Sequence, residues 1–150
     1  MTISYAAPAL RPAWLRPSRP RGSRAAGLAY ERALARALPR AVHGQWFQYI
    51  EDGEPKWCQT DFHIVGAKNV VIFEAKLANY AEAHDKLTSL YLPVGRLAWP
   101  ERRVGGVIVL KSVSNVPEGV AIFENLRDAV DNLRPDEGPV VVHWLGKGPI

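Results

Sequence analysis

Three acids and a lysine are the residues of this chain best suited to chemistry. Glu74-Ala75-Lys76 closes an apolar run over 70–77, Asp61 lies near the start of the run before it, and Glu31 sits inside a helical pattern upstream. Residues two apart in a strand share a face, which puts Glu74 and Lys76 with Val70 and Ile72. Val71, Phe73, Ala75 and Leu77 take the other face. On the preceding run, read as one strand over 57–65, Gln59, Asp61 and His63 share a face opposite Cys58, Phe62 and Ile64. A hairpin turning at Gly66-Ala67-Lys68-Asn69 then brings Asp61, Glu74 and Lys76 to one end of a small sheet. Burying a core calls for neither two carboxylates nor an ammonium at that place. Two carboxylates are the usual protein share of an Mg²⁺ shell, with Mn²⁺ as a substitute, and a neighbouring lysine can orient water or offset developing charge.

The elements that must position these residues follow from periodicity. Ser23 to Leu38 reads as a helix with Ser23 as N-cap and Pro39 ending it. Leu28, Leu34, Ala35 and Leu38 form its apolar stripe, with Glu31 inside it. Arg24, Arg32, Arg36 and Arg40 recur at spacings of four or eight and form a basic stripe suited to nucleic-acid phosphates. Trp46 to Glu51 reads as a strand, with turn chemistry at Glu51-Asp52-Gly53-Glu54-Pro55. A second helix is expected over Ala78–Leu92, stopped by Pro93, and a third over Ala121–Leu133. Val104–Lys111 and Val140–Leu145 have the apolar, β-branched character of interior strands. The sum is an α/β fold: a three-layer sandwich with a mixed central sheet of about five strands flanked by helices.

Composition narrows the setting. The 150 residues carry a formal charge of +4 and are 47% hydrophobic, as expected of one soluble domain. No apolar run reaches the roughly 18–20 residues of a membrane span. Cys58 is the single cysteine, which excludes a disulfide framework and a cysteine-rich zinc site and suits a reducing, cytoplasmic compartment. The excess of positive charge lies in residues 1–22 and just beyond, where Arg11, Arg16, Arg19, Arg21 and Arg24 meet no acid. Pro8, Pro12, Pro17 and Pro20 make this segment an expected flexible basic arm, ahead of a single domain over 23–150. Contact with DNA, plain solubilisation and organellar targeting are the three readings of such an arm.

With Glu31 on the first helix, Asp61 on one strand, Glu74-Ala75-Lys76 on the next and a helix after it, the chain resembles the PD-(D/E)XK nuclease superfamily. The likeness spans roughly residues 27–110, and FEAKL followed by DKLTSLYLPV is similar to its phage and mobile-element members. Thr60 stands where the motif's name has proline. Lys86 falls at the glutamine position of exonuclease-type relatives, with Tyr91 after it. The resemblance implies the restriction-endonuclease-like fold and Mg²⁺-dependent hydrolysis of DNA phosphodiesters, expected here as endonuclease cutting. It further implies a metal held by Asp61, Glu74 and the carbonyl of Ala75 and completed by Glu31, with Lys76 beside the attacking water. Gln59, Lys86 and Tyr91 are auxiliary candidates. Similar compact members include Holliday-junction resolvases, so branched DNA and a homodimer are further expectations. Two other readings stand beside these: a nucleic-acid-binding module without catalysis, and a subunit of a mobile-element complex active only with its partners.

Overall fold

The computed structural model describes residues 2–15, 23–134 and 137–150. Among them the order is β1 (Ile3–Ala9), α1 (Ser23–Ala37), β2 (Val42–His43), β3 (Trp46–Glu51), β4 (Glu54–Gln59), β5 (Phe62–Val65) and β6 (Asn69–Lys76). These are followed by α2 (Tyr80–Lys86), a π-helical turn (Leu87–Tyr91), α3 (Leu92–Ala98), β7 (Arg103–Leu110), β8 (Ile122–Phe123), α4 (Leu126–Asp131) and β9 (Val140–His143). The fold is mixed α/β. A six-stranded sheet runs β2-β5-β6-β7-β9-β8, and a separate three-stranded sheet runs β1-β3-β4.

The β5–β6 hairpin is the centre of the large sheet. It pairs Phe62 with Phe73 and His63 with Ile72, and β6 then runs parallel to β7. Alternation along β6 sorts its residues as the sequence predicts. Val70 and Ile72 join Leu87, Tyr91, Leu92 and Val94 on one face, whereas Phe73 and Ala75 meet Tyr30, Leu34 and Leu38 of α1 on the other. Phe62 and Phe73 are fully buried, each contributing roughly 1.5–3 kcal/mol relative to exposure. A slip of one residue would place Phe73 where Glu74 belongs, so this burial pins the register of the acids. The β3–β4 hairpin turns at Asp52 and Gly53 with φ of 51° and 81°, the left-handed pair that a two-residue hairpin loop requires.

Several expectations are corrected. The arm is not free throughout: Ile3–Ala9 pairs antiparallel with β3 and buries Ala6, while residues 16–22, with three of the five arginines, lie outside the described residues. The strand expected over 57–65 is two strands in two sheets, β4 and β5, broken at Thr60-Asp61, so alternation cannot be carried from Gln59 to His63. The central sheet has six strands instead of about five. Pro93 does not stop the second helix. The wide π turn before it, closed by Leu92 N–H to the Leu87 carbonyl, seats Pro93 in the first turn of α3, where a missing N–H is tolerated. The segment over 121–133 opens as strand β8 on the edge of β9 and turns helical only after Asn125, whose side chain accepts from Asp128 N–H.

Candidate active site

Asp61 lies one step beyond the Phe62–Phe73 pair and therefore comes opposite Glu74 at the end of the hairpin. Its Oδ2 accepts the Ala75 N–H at 2.8 Å, a charge-assisted bond that ties the acid to the Glu-Ala-Lys strand. Its backbone carbonyl accepts the Gly44 N–H at 3.0 Å. Gly44 has φ +69°, and a Cβ there would lie 3.0 Å from the Gln59 side chain, so glycine is what allows this loop to close. Gln59 in turn donates from Nε2 to the Gly44 carbonyl at 3.0 Å. Glu31 reaches Asp61 from α1, where its side chain hydrogen-bonds the aspartate. A cleft of about 430 Å³ opens beside them, lined by Leu28, Glu31, His43, Gly44, Gln59, Thr60 and Asp61.

The electrostatics are unbalanced. Burial raises the pKa of Glu74 to about 8, and the nearby Asp61 adds to the rise against the opposing charges of Lys76 and Lys86. Burial and the charge of Glu31 hold Asp61 well above the usual carboxylate range. Glu31 is also raised, first by burial and then by Glu74, although its bond to Asp61 and the charge of Lys76 pull the other way. One cation could relieve this, but Lys76 is engaged elsewhere: its Nζ lies 2.7 Å from Glu82 Oε1 and 3.9 Å from Glu74 Oε1. Burial alone would lower Lys76, yet the bond to Glu82 and the charges of Glu74, Glu82 and Asp61 raise it on balance. Glu74 Oε2 is left buried with no hydrogen-bond partner. A buried carboxylate oxygen in that condition is costly unless something positive meets it.

The remaining sequence candidates divide. Tyr91 is buried with its hydroxyl donated to the Gln59 carbonyl at 3.0 Å, and its environment includes the charges of Glu74 and Asp61. It buttresses the cleft wall. Lys86 is exposed on α2 and its charge reaches Glu74. Arg32, Arg36 and Arg40 are exposed, whereas the side chain of Arg24 lies outside the described residues. His63 is not at the cleft: it is buried against Phe47 and Trp99, which lowers its pKa. Two residues were missed. His43, exposed and stacked on Phe62 at 4.5 Å, lines the cleft, and only the unforeseen β2–β5 pairing brings it there. Glu82 captures Lys76, and its position in the first turn after an Asn79 cap was the available signal.

No family model, curated protein or solved structure matches this chain, so the chemistry rests on its own residues. Among the described residues no three of His, Cys, Asp and Glu are grouped as a ready metal cage. The donor set is instead two opposed carboxylates, Asp61 and Glu74, with Glu31 behind Asp61. That set, together with the orphaned oxygen of Glu74, fits a hard cation that keeps most of its water shell.

Proposed function

We propose that this chain is an Mg²⁺-dependent nuclease of the PD-(D/E)XK type with a restriction-endonuclease-like core, hydrolysing DNA phosphodiester bonds as an endonuclease. The observation that carries the reading is the convergence of Glu31, Asp61 and Glu74 with Lys76 at one end of β6, with an oxygen of Glu74 buried and unpaired. Asp61 and Glu74 would hold the cation, and Glu31 would support Asp61 from α1. Bound Mg²⁺ supplies positive charge to the phosphoryl oxygens and a lowered pKa to the attacking water.

The protein's own share is positional and electrostatic. The Ala75 N–H fixes the orientation of Asp61, and the Glu31–Asp61 hydrogen bond holds the second acid against the first. Lys76 keeps its proton and lies next to Glu74, placed to hydrogen-bond the attacking water or the charge that develops on the phosphoryl oxygens. The exposed arginines of α1 supply positive field for a polyanion beside the cleft.

The test is a panel of labelled supercoiled plasmid, linear duplex, single strand, RNA and a four-way junction, each with Mg²⁺, Mn²⁺ or EDTA. Metal-dependent cutting of DNA that disappears in Lys76→Ala supports the reading, and a preference for the junction would name the structure-specific branch. Well-folded wild type that cuts nothing would overturn it in favour of binding without catalysis.

A further inference from the structure

We propose that a second pocket, on the other flank of α1 from the cleft, holds a non-scissile phosphate of the bound nucleic-acid strand. The inference rests on the nuclease reading for its substrate but on a different part of the molecule for its observations. The pocket, of about 320 Å³, lies between the C-terminal half of α1 and the segment after β9; Arg36, Trp144, Gly146, Lys147 and Gly148 line it. No acid is among its lining residues. Among the described residues neither Arg36 nor Lys147 has a carboxylate partner, and both are exposed.

The backbone adds donors without acceptors. Among the described residues the N–H groups of Gly146, Lys147 and Gly148 reach no protein acceptor, and Gly146 and Gly148 hold φ of 93° and 77°. Trp144 is 5% exposed, and its buried indole Nε1–H is also without a partner. The negative end of the α1 dipole accounts for one cation there, Arg36 in the last turn. It accounts neither for a second cation on a glycine-flanked loop nor for an orphaned indole donor. Two guanidinium or ammonium groups with free N–H donors are what a phosphodiester oxygen pair accepts.

The position of the pocket relates it to the catalytic end. β6, β7 and β9 run parallel, and the register places Lys76, Leu110 and His143 level with one another, with Trp144 next in the chain. The pocket and the acids therefore share the C-terminal end of these strands, of which β6 and β9 lie two strand spacings or about 10 Å apart, the end at which α/β sheets bind ligands. One turn of α1 serves both: Glu31 points to Asp61, and the adjacent Tyr30 donates its hydroxyl to the Trp144 carbonyl at 2.7 Å. A strand crossing the acids and passing over the exposed Arg32 and Arg36 would place a neighbouring phosphate in this pocket.

The experiment measures binding without cleavage. Anisotropy of a labelled duplex of about 20 bp is followed in EDTA from about 50 to about 200 mM salt, for full-length wild type, the double variant Arg36→Ala/Lys147→Ala, and Arg103→Ala at the opposite end of the sheet. The double variant is expected to bind about tenfold more weakly and to lose about one from the slope of log K against log salt, while Arg103→Ala matches wild type. Equal affinity and slope in the double variant, or no duplex binding by wild type, would overturn the proposal. Saturable uptake of inorganic phosphate by wild type, lost in the double variant with DNA binding unchanged, would also overturn it, because the pocket would then serve a free anion. If wild type cuts no nucleic acid yet the slope still falls, the phosphate site stands and the nuclease reading alone fails.

Discussion

Two lysine–carboxylate pairs in this molecule have opposite fates. In the small sheet Glu51 is buried, and Lys56 reaches it from the neighbouring strand at 2.5 Å. In the large sheet Glu74 is more deeply buried, but its lysine stands 3.9 Å away and is held at 2.7 Å by Glu82. The first pair satisfies its acid, and no oxygen of Glu51 is among the buried atoms without a partner. The second leaves Glu74 Oε2 unpaired and its pKa at about 8. Both pairs sit on hairpin strands with apolar neighbours, so strand character does not explain the contrast. The surrounding charges do: the buried Asp61 adds to the rise of Glu74, and Glu82 takes the lysine that would offset it. Unfavourable charge is thus concentrated at one end of an otherwise well-packed sheet.

The widest separation between the pairs is expected in catalysis. Asp61→Ala and Lys76→Ala should each lower the rate of metal-dependent DNA cutting by about 10²–10³ or more, measured at saturating Mg²⁺. Lys56→Ala should leave it unchanged. Stability should move the other way. In metal-free protein at pH 8, Glu74→Gln is expected to raise stability by about 1–3 kcal/mol in denaturant unfolding, because it removes a crowded buried charge. Glu51→Gln removes a satisfied one and should lower the melting temperature slightly.

The pH dependence carries a definite sign. Glu74 is raised in the folded protein from 4.5 to about 8, so the folded state holds a proton that the unfolded state has released. Its stabilising contribution is complete below about 4.5 and is lost as the pH rises through about 8. His63, lowered by burial from 6.5, acts in the opposite sense in the acid range, so the carboxylate effect is cleanest above neutrality. Melting temperature without metal should fall between about pH 7 and pH 8 and level off above, and Glu74→Gln should flatten that fall. Apparent Mg²⁺ affinity, measured by calorimetry, should rise over the same interval as protons cease to compete. The smallest effect belongs to Glu82→Gln. Freeing Lys76 should lower its pKa and move the alkaline limb of the pH–rate profile down by less than about one unit.

Sequence made β6 legible because its information is local. Alternation along 70–77 separates Val70 and Ile72 from Phe73 and Ala75, and the structure keeps that division. The α1 stripe was nearly right, but Tyr30 is buried and Leu28 lines the cleft, a shift in phase set by Tyr30 reaching Trp144 across 114 positions. The other misses share a long-range cause. Nothing near Thr60 announces that the chain leaves one sheet for another. Nothing in an Ala/Pro segment announces that Ile3–Ala9 will find β3 some 40 residues later. Pro93 would break an α-helix with regular bonds, and only the π turn before it removes the conflict. His43 entered the site the same way, through a two-residue pairing that periodicity cannot reveal.

The most direct measurement is nicking of supercoiled plasmid by wild type, Glu74→Gln and Glu51→Gln, each with Mg²⁺ and with EDTA. The expected result is Mg²⁺-dependent nicking by wild type and Glu51→Gln, and none by Glu74→Gln although it is the most stable of the three. Nicking by Glu74→Gln at the wild-type rate, or nicking by wild type that persists in EDTA, would contradict a metal-dependent site built on Glu74.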